Sequence, residues 1–227
     1  MALSWFQELS FLSKAAVVVG TSASLIGGTY ILYKRLAVSG TAGPGESTRA
    51  DLVAMTANPE KRVLVLGLDG AGKSSLLKCL SHQEGDGKLE PTEGFNVMCI
   101  QAKNTTLNVW EVGGTKNVRS YWDNFLQGTE LLVFVVDSAD EVRFPEAKEE
   151  LHKLLKDGRL EKVPLLVVAN KQDLPGAKKG GAFLASLDLV LPLKGRDVHL
   201  LEVSSSAEKK SANMSEVLDL MSVLSKN

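Results

Sequence analysis

The chain has 227 residues, of which 44% are apolar and 23% charged, the balance of a folded domain rather than a disordered one. Its 26 Lys and Arg against 27 Asp and Glu leave a net charge of −1, so no basic excess exists to hold a nucleic-acid backbone. Cys79 and Cys99 cannot make a disulfide framework, and His82, His152 and His199 lack metal-ligand spacing, so the chain reads as cytosol-facing.

A short N-terminal segment, residues 1–14, leads into a charge-free run, AAVVVGTSASLIGGTYILY, at 15–33. Bracketed by Lys14 and Lys34, its 19 residues would extend roughly 28 Å as a helix, close to the thickness of a bilayer core. Tyr30 and Tyr33 suit a membrane interface, and Gly20, Ser24 and Gly28 follow a small-residue helix-packing pattern. A buried soluble helix competes with this reading, but the run exceeds the usual core-helix length. A cleaved export signal would remove the following domain from the cytosol. The expectation is a single transmembrane helix. Lys34 and Arg35 put its C-terminal side in the cytoplasm. Residues 34–60, with Gly40, Gly43, Pro44, Gly45, Ser47 and Thr48, read as a flexible linker to a domain at 61–227.

Within that domain, RVLVLGL (62–68), LLVFVVD (131–137) and PLLVVAN (164–170) are short apolar runs suited to central parallel strands. NVMCIQA (96–102) and TTLNVWEV (105–112) flank Lys103-Asn104 as a hairpin, and HLLEV (199–203) is a further strand. EAKEELHKLLK (146–156) is an amphipathic helix with Ala147, Leu151, Leu154 and Leu155 on one face, and Glu149 stands four residues before Lys153. Met214, Val217, Leu218, Met221 and Leu224 mark a closing helix. Alternation of strand and helix predicts an open α/β sheet with helices on both faces and ligands at the strand C-terminal ends.

GLDGAGKS (67–74) matches the phosphate-loop pattern after a strand and at the opening of a helix. Gly67, Gly70 and Gly72 let the backbone curl round phosphates, with Asp69, Ala71 and Ser75 completing the loop. Lys73 reaches the β- and γ-phosphates, and the Ser74 hydroxyl binds Mg²⁺. After the third apolar run comes Asn170-Lys171-Gln172-Asp173. An Asp173 carboxylate can accept from guanine N1–H and the 2-amino group, which adenine does not present together. Lys171 can lay its stem over the base, and Asn170 can tie this loop to the phosphate loop. Ser206-Ala207 can present a backbone N–H to guanine O6, with the register open within Ser204 to Ala207. Thr92 can offer its hydroxyl to Mg²⁺ and Gly114 its N–H to the γ-phosphate, so both loops would order with that phosphate.

GLDGAGKSS, PTEGFNV, WEVGG, FVVDSAD and NKQDLP, in this order and spacing, resemble the Arf-like branch of the small GTPases, over about residue 61 onward. The resemblance implies a Ras-like P-loop fold, GTP and GDP with Mg²⁺, and a monomeric switch domain. It also implies effector proteins, a guanine nucleotide exchange factor and a GTPase-activating protein as partners. Phe95, Trp110 and Phe125 take the places of an aromatic effector cluster, Phe125 standing for the usual Tyr; ordinary core packing is the competing role for all three. The nearest likeness is to divergent members with a membrane-spanning N-terminus.

Four further positions depart from the family pattern. Ala2 excludes an N-terminal myristoyl group, which the charge-free run would replace. Glu111 stands for the usual Asp of the second switch, one methylene longer, at a place that holds Mg²⁺ through water. Thr115 stands for the Gln that positions the attacking water beside Gly114, so intrinsic hydrolysis is expected to be slow. Glu93 puts a carboxylate on the expected effector face in place of Ile. The expected function is therefore a single-pass, membrane-anchored, cytosol-facing GTP switch, with the mitochondrial outer membrane or the endoplasmic reticulum as candidate sites. A permanently GTP-loaded scaffold without useful turnover is the alternative raised by Thr115, while Asp173 opposes an ATPase or small-molecule kinase.

Overall fold

A computed structural model describes residues 59–81, 92–102, 105–189, 195–205 and 214–225, all within the unit Ala57–Asn227. The expected span at 15–33 and the linker as far as residue 58 lie outside the described residues, and Glu60, expected at the end of the linker, opens the first strand. Among the described residues no helix is long and apolar enough to cross a membrane.

Six strands form one sheet in the order β2-β3-β1-β4-β5-β6. They are β1 (Glu60–Leu66), β2 (Phe95–Ala102), β3 (Thr105–Val112), β4 (Leu131–Asp137), β5 (Leu165–Asn170) and β6 (Val198–Glu202). Only β2 runs antiparallel, pairing with β3 from Phe95 opposite Val112 to Ala102 opposite Thr105. The others are parallel, as the apolar runs predict. Among the described residues five α-helices accompany them: α1 (Lys73–Leu80), α2 (Lys116–Arg119), α3 (Phe144–Leu155), α4 (Gly180–Ser186) and α5 (Met214–Leu224).

Successive strand residues point to opposite faces, and each face has its own core. Leu64, Leu66, Leu132, Phe134, Leu165 and Val167 pack with Phe144 and Leu151 of α3 and Phe183 of α4. Val63, Val65, Val133, Val135, Leu166 and Val168 pack with Leu76 and Leu77 of α1 and Val217, Met221 and Leu224 of α5. This two-sided burial explains why the runs are continuously apolar instead of alternating.

Strand ends differ slightly from expectation, for local reasons. β1 stops at Leu66 because Gly67 takes φ +144°, and a Cβ there would lie 2.1 Å from the Val135 carbonyl oxygen. α3 begins two residues early, with Pro145 in its first turn, where a missing N–H costs no helical bond. Glu149 does pair with Lys153, at 2.9 Å.

Candidate functional site

All the strand ends that carry the motifs point to one edge of the sheet. The phosphate loop leaves β1 and enters α1 with Gly70 and Gly72 also at positive φ. Lys73, the first residue of α1, is buried, and its Nζ donates to the carbonyl oxygens of Gly67 (2.9 Å) and Leu68 (3.0 Å). Burial drives its pKa down from 10.5 to about 8, against the opposing pull of Glu111 and Asp69. A cation this desolvated and this close to the loop is placed to meet phosphate oxygens. Ser75 follows within the first turn of α1.

The second switch lies directly on this loop. Gly114 has no room for a side chain, since a Cβ would stand 2.3 Å from Gly67 O and 2.4 Å from Asp69 N. Its carbonyl accepts from Asp69 N–H (3.1 Å) and from Arg119 Nε (2.5 Å). The neighbouring Gly113 donates to Gly94 O at 2.8 Å and accepts from Trp122 Nε1 at 2.9 Å. Arg119, almost fully buried, also reaches Glu146 (2.9 Å) and Asp69 (3.3 Å). Arg143 grips Asp69 twice, through its carboxylate (2.7 Å) and its backbone carbonyl (2.8 Å). Hydrogen bonding from Arg143, with help from Arg119, holds the Asp69 carboxyl below the usual range despite some burial. Phosphate loop, α2 and the start of α3 are thus joined by one charged network. The carboxylate of Asp69, an expected nucleotide contact, is engaged by these two arginines, and its backbone N–H donates to the Gly114 carbonyl.

Thr115 sits half-buried at the N-cap position of α2, where its carbonyl accepts from Val118 and Arg119 N–H, but its side chain makes no cap bond. The fold makes no use of that hydroxyl among the described residues.

Ser74, Thr92 and Glu111 come together as expected. Ser74 Oγ donates to Glu111 Oε1, Thr92 Oγ1 lies 3.2 Å from Ser74 Oγ, and Thr92 Oγ1 donates to Oε1 at 3.4 Å. Asn96 Nδ2 holds the other oxygen, Oε2, at 3.2 Å. Two hydroxyls and a carboxylate are hard oxygen donors, the chemistry that Mg²⁺ requires. The residues present fit that ion.

On the base side, Asn170 is fully buried. Its Nδ2 donates to Ala71 O (2.8 Å), the expected tie to the phosphate loop, and its Oδ1 also accepts from Ser205 N–H (3.2 Å), which adds a third loop. Lys171 is at φ +64°, and its ammonium pairs with Asp137 at 2.7 Å, which pins its stem along the strand ends. Gln172 straps the loop through Ser138 Oγ and Lys178 O, each at 2.9 Å. No described residue bonds the half-buried Asp173 carboxylate, so both oxygens remain available to a ligand. Ser206 and Ala207 lie outside the described residues. A cavity of about 150 Å³ opens between Asp69–Ala71, Asp137, Phe144 and Lys171.

Phe95, Trp110 and Phe125 form a three-ring cluster with centroids 5.3–6.3 Å apart, half-buried against the first core. Arg62 lies over the Trp110 ring at 4.3 Å. Both competing roles for these rings therefore have a physical basis. Glu93 beside them is exposed.

Sequence reasoning missed Asn96, Arg119 and Arg143. Asn96 was within reach, because a two-residue loop between Ala102 and Thr105 fixes the register that sets it opposite Glu111.

A crevice at the strand ends, lined by a phosphate loop and a guanine-type tetrapeptide, defines a P-loop nucleotide-binding protein of the Ras-like class. The model of the ADP-ribosylation factor family matches residues 49–223. ADP-ribosylation factor-like protein 3 of Chlamydomonas reinhardtii is 45% identical over 130 residues, 57% of this chain and 73% of that protein. The small GTPase Arl6 BBS3 from Trypanosoma brucei, solved with bound GppNp, superimposes with a TM-score of 0.65 at 24% identity. That match covers 74% of this chain and 98% of the other. The chain belongs to the ADP-ribosylation factor family, and is an Arf-like small GTPase, a GTP-binding switch.

Proposed function

We propose that the chain is a membrane-anchored Arf-like switch that recruits effector proteins in its GTP form and hydrolyses GTP very slowly on its own. The observation that carries the slow-hydrolysis reading is Thr115. It follows Gly114, whose backbone lies against the phosphate loop, but it ends in a short hydroxyl that no other group directs among the described residues. A Thr hydroxyl lies about 2.4 Å from its Cα, whereas a Gln amide extends to about 5 Å. In phosphoryl transfer the protein mainly positions the nucleophile and stabilises charge, so a side chain that falls short leaves little in its place.

The division of labour follows from the residues. Lys73 would meet the β- and γ-phosphates, and the Gly114 N–H would meet the γ-phosphate. Asp173 selects guanine, with Asn170 and Gln172 holding its loop. Ser74, Thr92 and Glu111 would hold Mg²⁺, which supplies charge neutralisation at the phosphates when bound. Phe95, Trp110 and Phe125, with Glu93 at the rim, would meet effectors once Thr92 is held by the metal. An exchange factor and an activating protein complete the cycle. The charge-free run at 15–33 supports a single-pass anchor, and the mitochondrial outer membrane and the endoplasmic reticulum both suit its modest hydrophobic length.

A second reading, a permanently GTP-loaded scaffold, is favoured by the same Thr115. Nucleotide extracted from purified protein separates the two: a GDP–GTP mixture supports the switch, and GTP alone that persists for hours supports the scaffold. Alkaline carbonate washing of membranes tests the anchor, and release of the chain into the supernatant would overturn it.

A further inference from the structure

We propose that Glu111 is a direct ligand of the Mg²⁺ ion and does not act through an intervening water. The inference deepens the guanine-nucleotide reading above and rests on it. Mg²⁺ demands near-octahedral oxygen geometry with bonds of about 2.0–2.1 Å, which sets neighbouring ligand oxygens about 3 Å apart. Ser74 Oγ, Thr92 Oγ1 and Glu111 Oε1 are all mutually within hydrogen-bonding reach, at 3.2 Å (Ser74–Thr92) and 3.4 Å (Thr92–Glu111) with a closer Ser74–Glu111 contact that an ion between them would widen. They therefore outline one triangular face of such an octahedron.

Three features of this chain place the carboxylate oxygen on that face. Glu111 lies on β3 in register with Val65 of β1 on one side and Asn96 of β2 on the other, so its backbone is fixed by the sheet. It is 1% exposed, and its Oε2 is held by Asn96, which turns Oε1 toward the two hydroxyls. The extra methylene of Glu then matters: an Asp on the same backbone would end roughly 1.5 Å shorter, and a water would have to fill the gap. Three protein oxygens and two phosphate oxygens would leave the ion one water.

The test uses the full chain with a non-hydrolysable guanosine triphosphate and Mn²⁺ in place of Mg²⁺. Water-proton relaxation then counts the waters on the ion. One water is expected in the wild type and two in Glu111→Asp. In parallel, the Mg²⁺ concentration that half-maximally slows release of the labelled nucleotide is expected to rise about tenfold in Glu111→Asp. Two waters in the wild type would overturn the proposal, whether or not the variant folds. A wild-type chain that retains no guanosine triphosphate at any Mg²⁺ concentration would overturn the nucleotide reading itself, a result distinguishable from the first.

Discussion

On the base side of the site, Asn170 is fully buried and commits both ends of its amide to backbone groups of other loops, while Gln172 straps the neighbouring turn. On the metal side, Thr92 and Glu111 meet each other and Ser74 through side chains, and the Thr115 side chain makes no cap bond. The first arrangement presents Asp173 on a rigid frame. The second can re-form around a ligand. The departures from the family pattern at 93, 111 and 115 all fall on this adaptable side, and the base side has none among the positions compared. With the roles proposed above, recognition of the base and response to the γ-phosphate are expected to be separable, and substitutions can break or sharpen that separation.

The largest effect is expected on the rigid side. Asp173→Asn turns one acceptor into a donor facing guanine. A mismatched donor in a desolvated site costs about 2–4 kcal/mol, or roughly 30- to 1,000-fold in GTP affinity by titration calorimetry. If the separation holds, the rate of hydrolysis at saturating GTP stays unchanged.

Thr115→Gln probes the other side. Regaining one water-positioning group is expected to raise the single-turnover rate on the order of a hundredfold, about 3 kcal/mol, with GTP affinity nearly constant. Equal rates in the two proteins would show that Thr115 is not the defect.

Lys73 stands between the two sides and supplies a pH test. Its folded pKa, lowered to about 8 by burial, means that the unfolded chain binds the extra proton between about pH 8 and 10.5. Stability of the nucleotide-stripped protein is therefore expected to gain from Lys73 as pH rises through that window. Phosphate binding requires the charged form, so nucleotide affinity should fall over the same window, by up to about tenfold per pH unit. Calorimetry in buffers of different ionisation enthalpy would register the proton taken up on binding.

The smallest effect is expected from the network beneath the switch. Arg119→Lys keeps the charge but loses the planar fork that serves Gly114, Glu146 and Asp69 together. A loss of about 1 kcal/mol in unfolding free energy, read as a lower denaturant midpoint, is expected, with guanine-over-adenine selectivity unaffected. A change in selectivity would mean that the two sides are coupled through Asp69.

The sheet was legible because burial on both faces leaves continuous runs such as LLVFVVD, and the phosphate loop because its glycines and Lys73 are contiguous in sequence. The Asn170 tie was legible too, since its partner loop was already known. α4 was not foreseen, because Gly180 and Gly181 at its start obscure the helical period over only seven residues. Arg119 and Arg143 gave no local sign: their bonds to Asp69 span 50 and 74 residues, and a single Arg on a short helix looks like any solvated charge. Thr115 was identified by comparison with the family pattern, not by its own chemistry.

The Asn170 tie also has a consequence for how the protein is made. Its amide joins Ala71, 99 residues upstream, to Ser205, 35 residues downstream, so the phosphate loop rests on chain synthesised long after it. β5 gains its last parallel neighbour only when β6 pairs with it. Non-local parallel pairings of this kind are slow to form. A nascent chain that has emerged only through α3 lacks these supports for its phosphate loop, and nucleotide capture is expected among the later events of its folding.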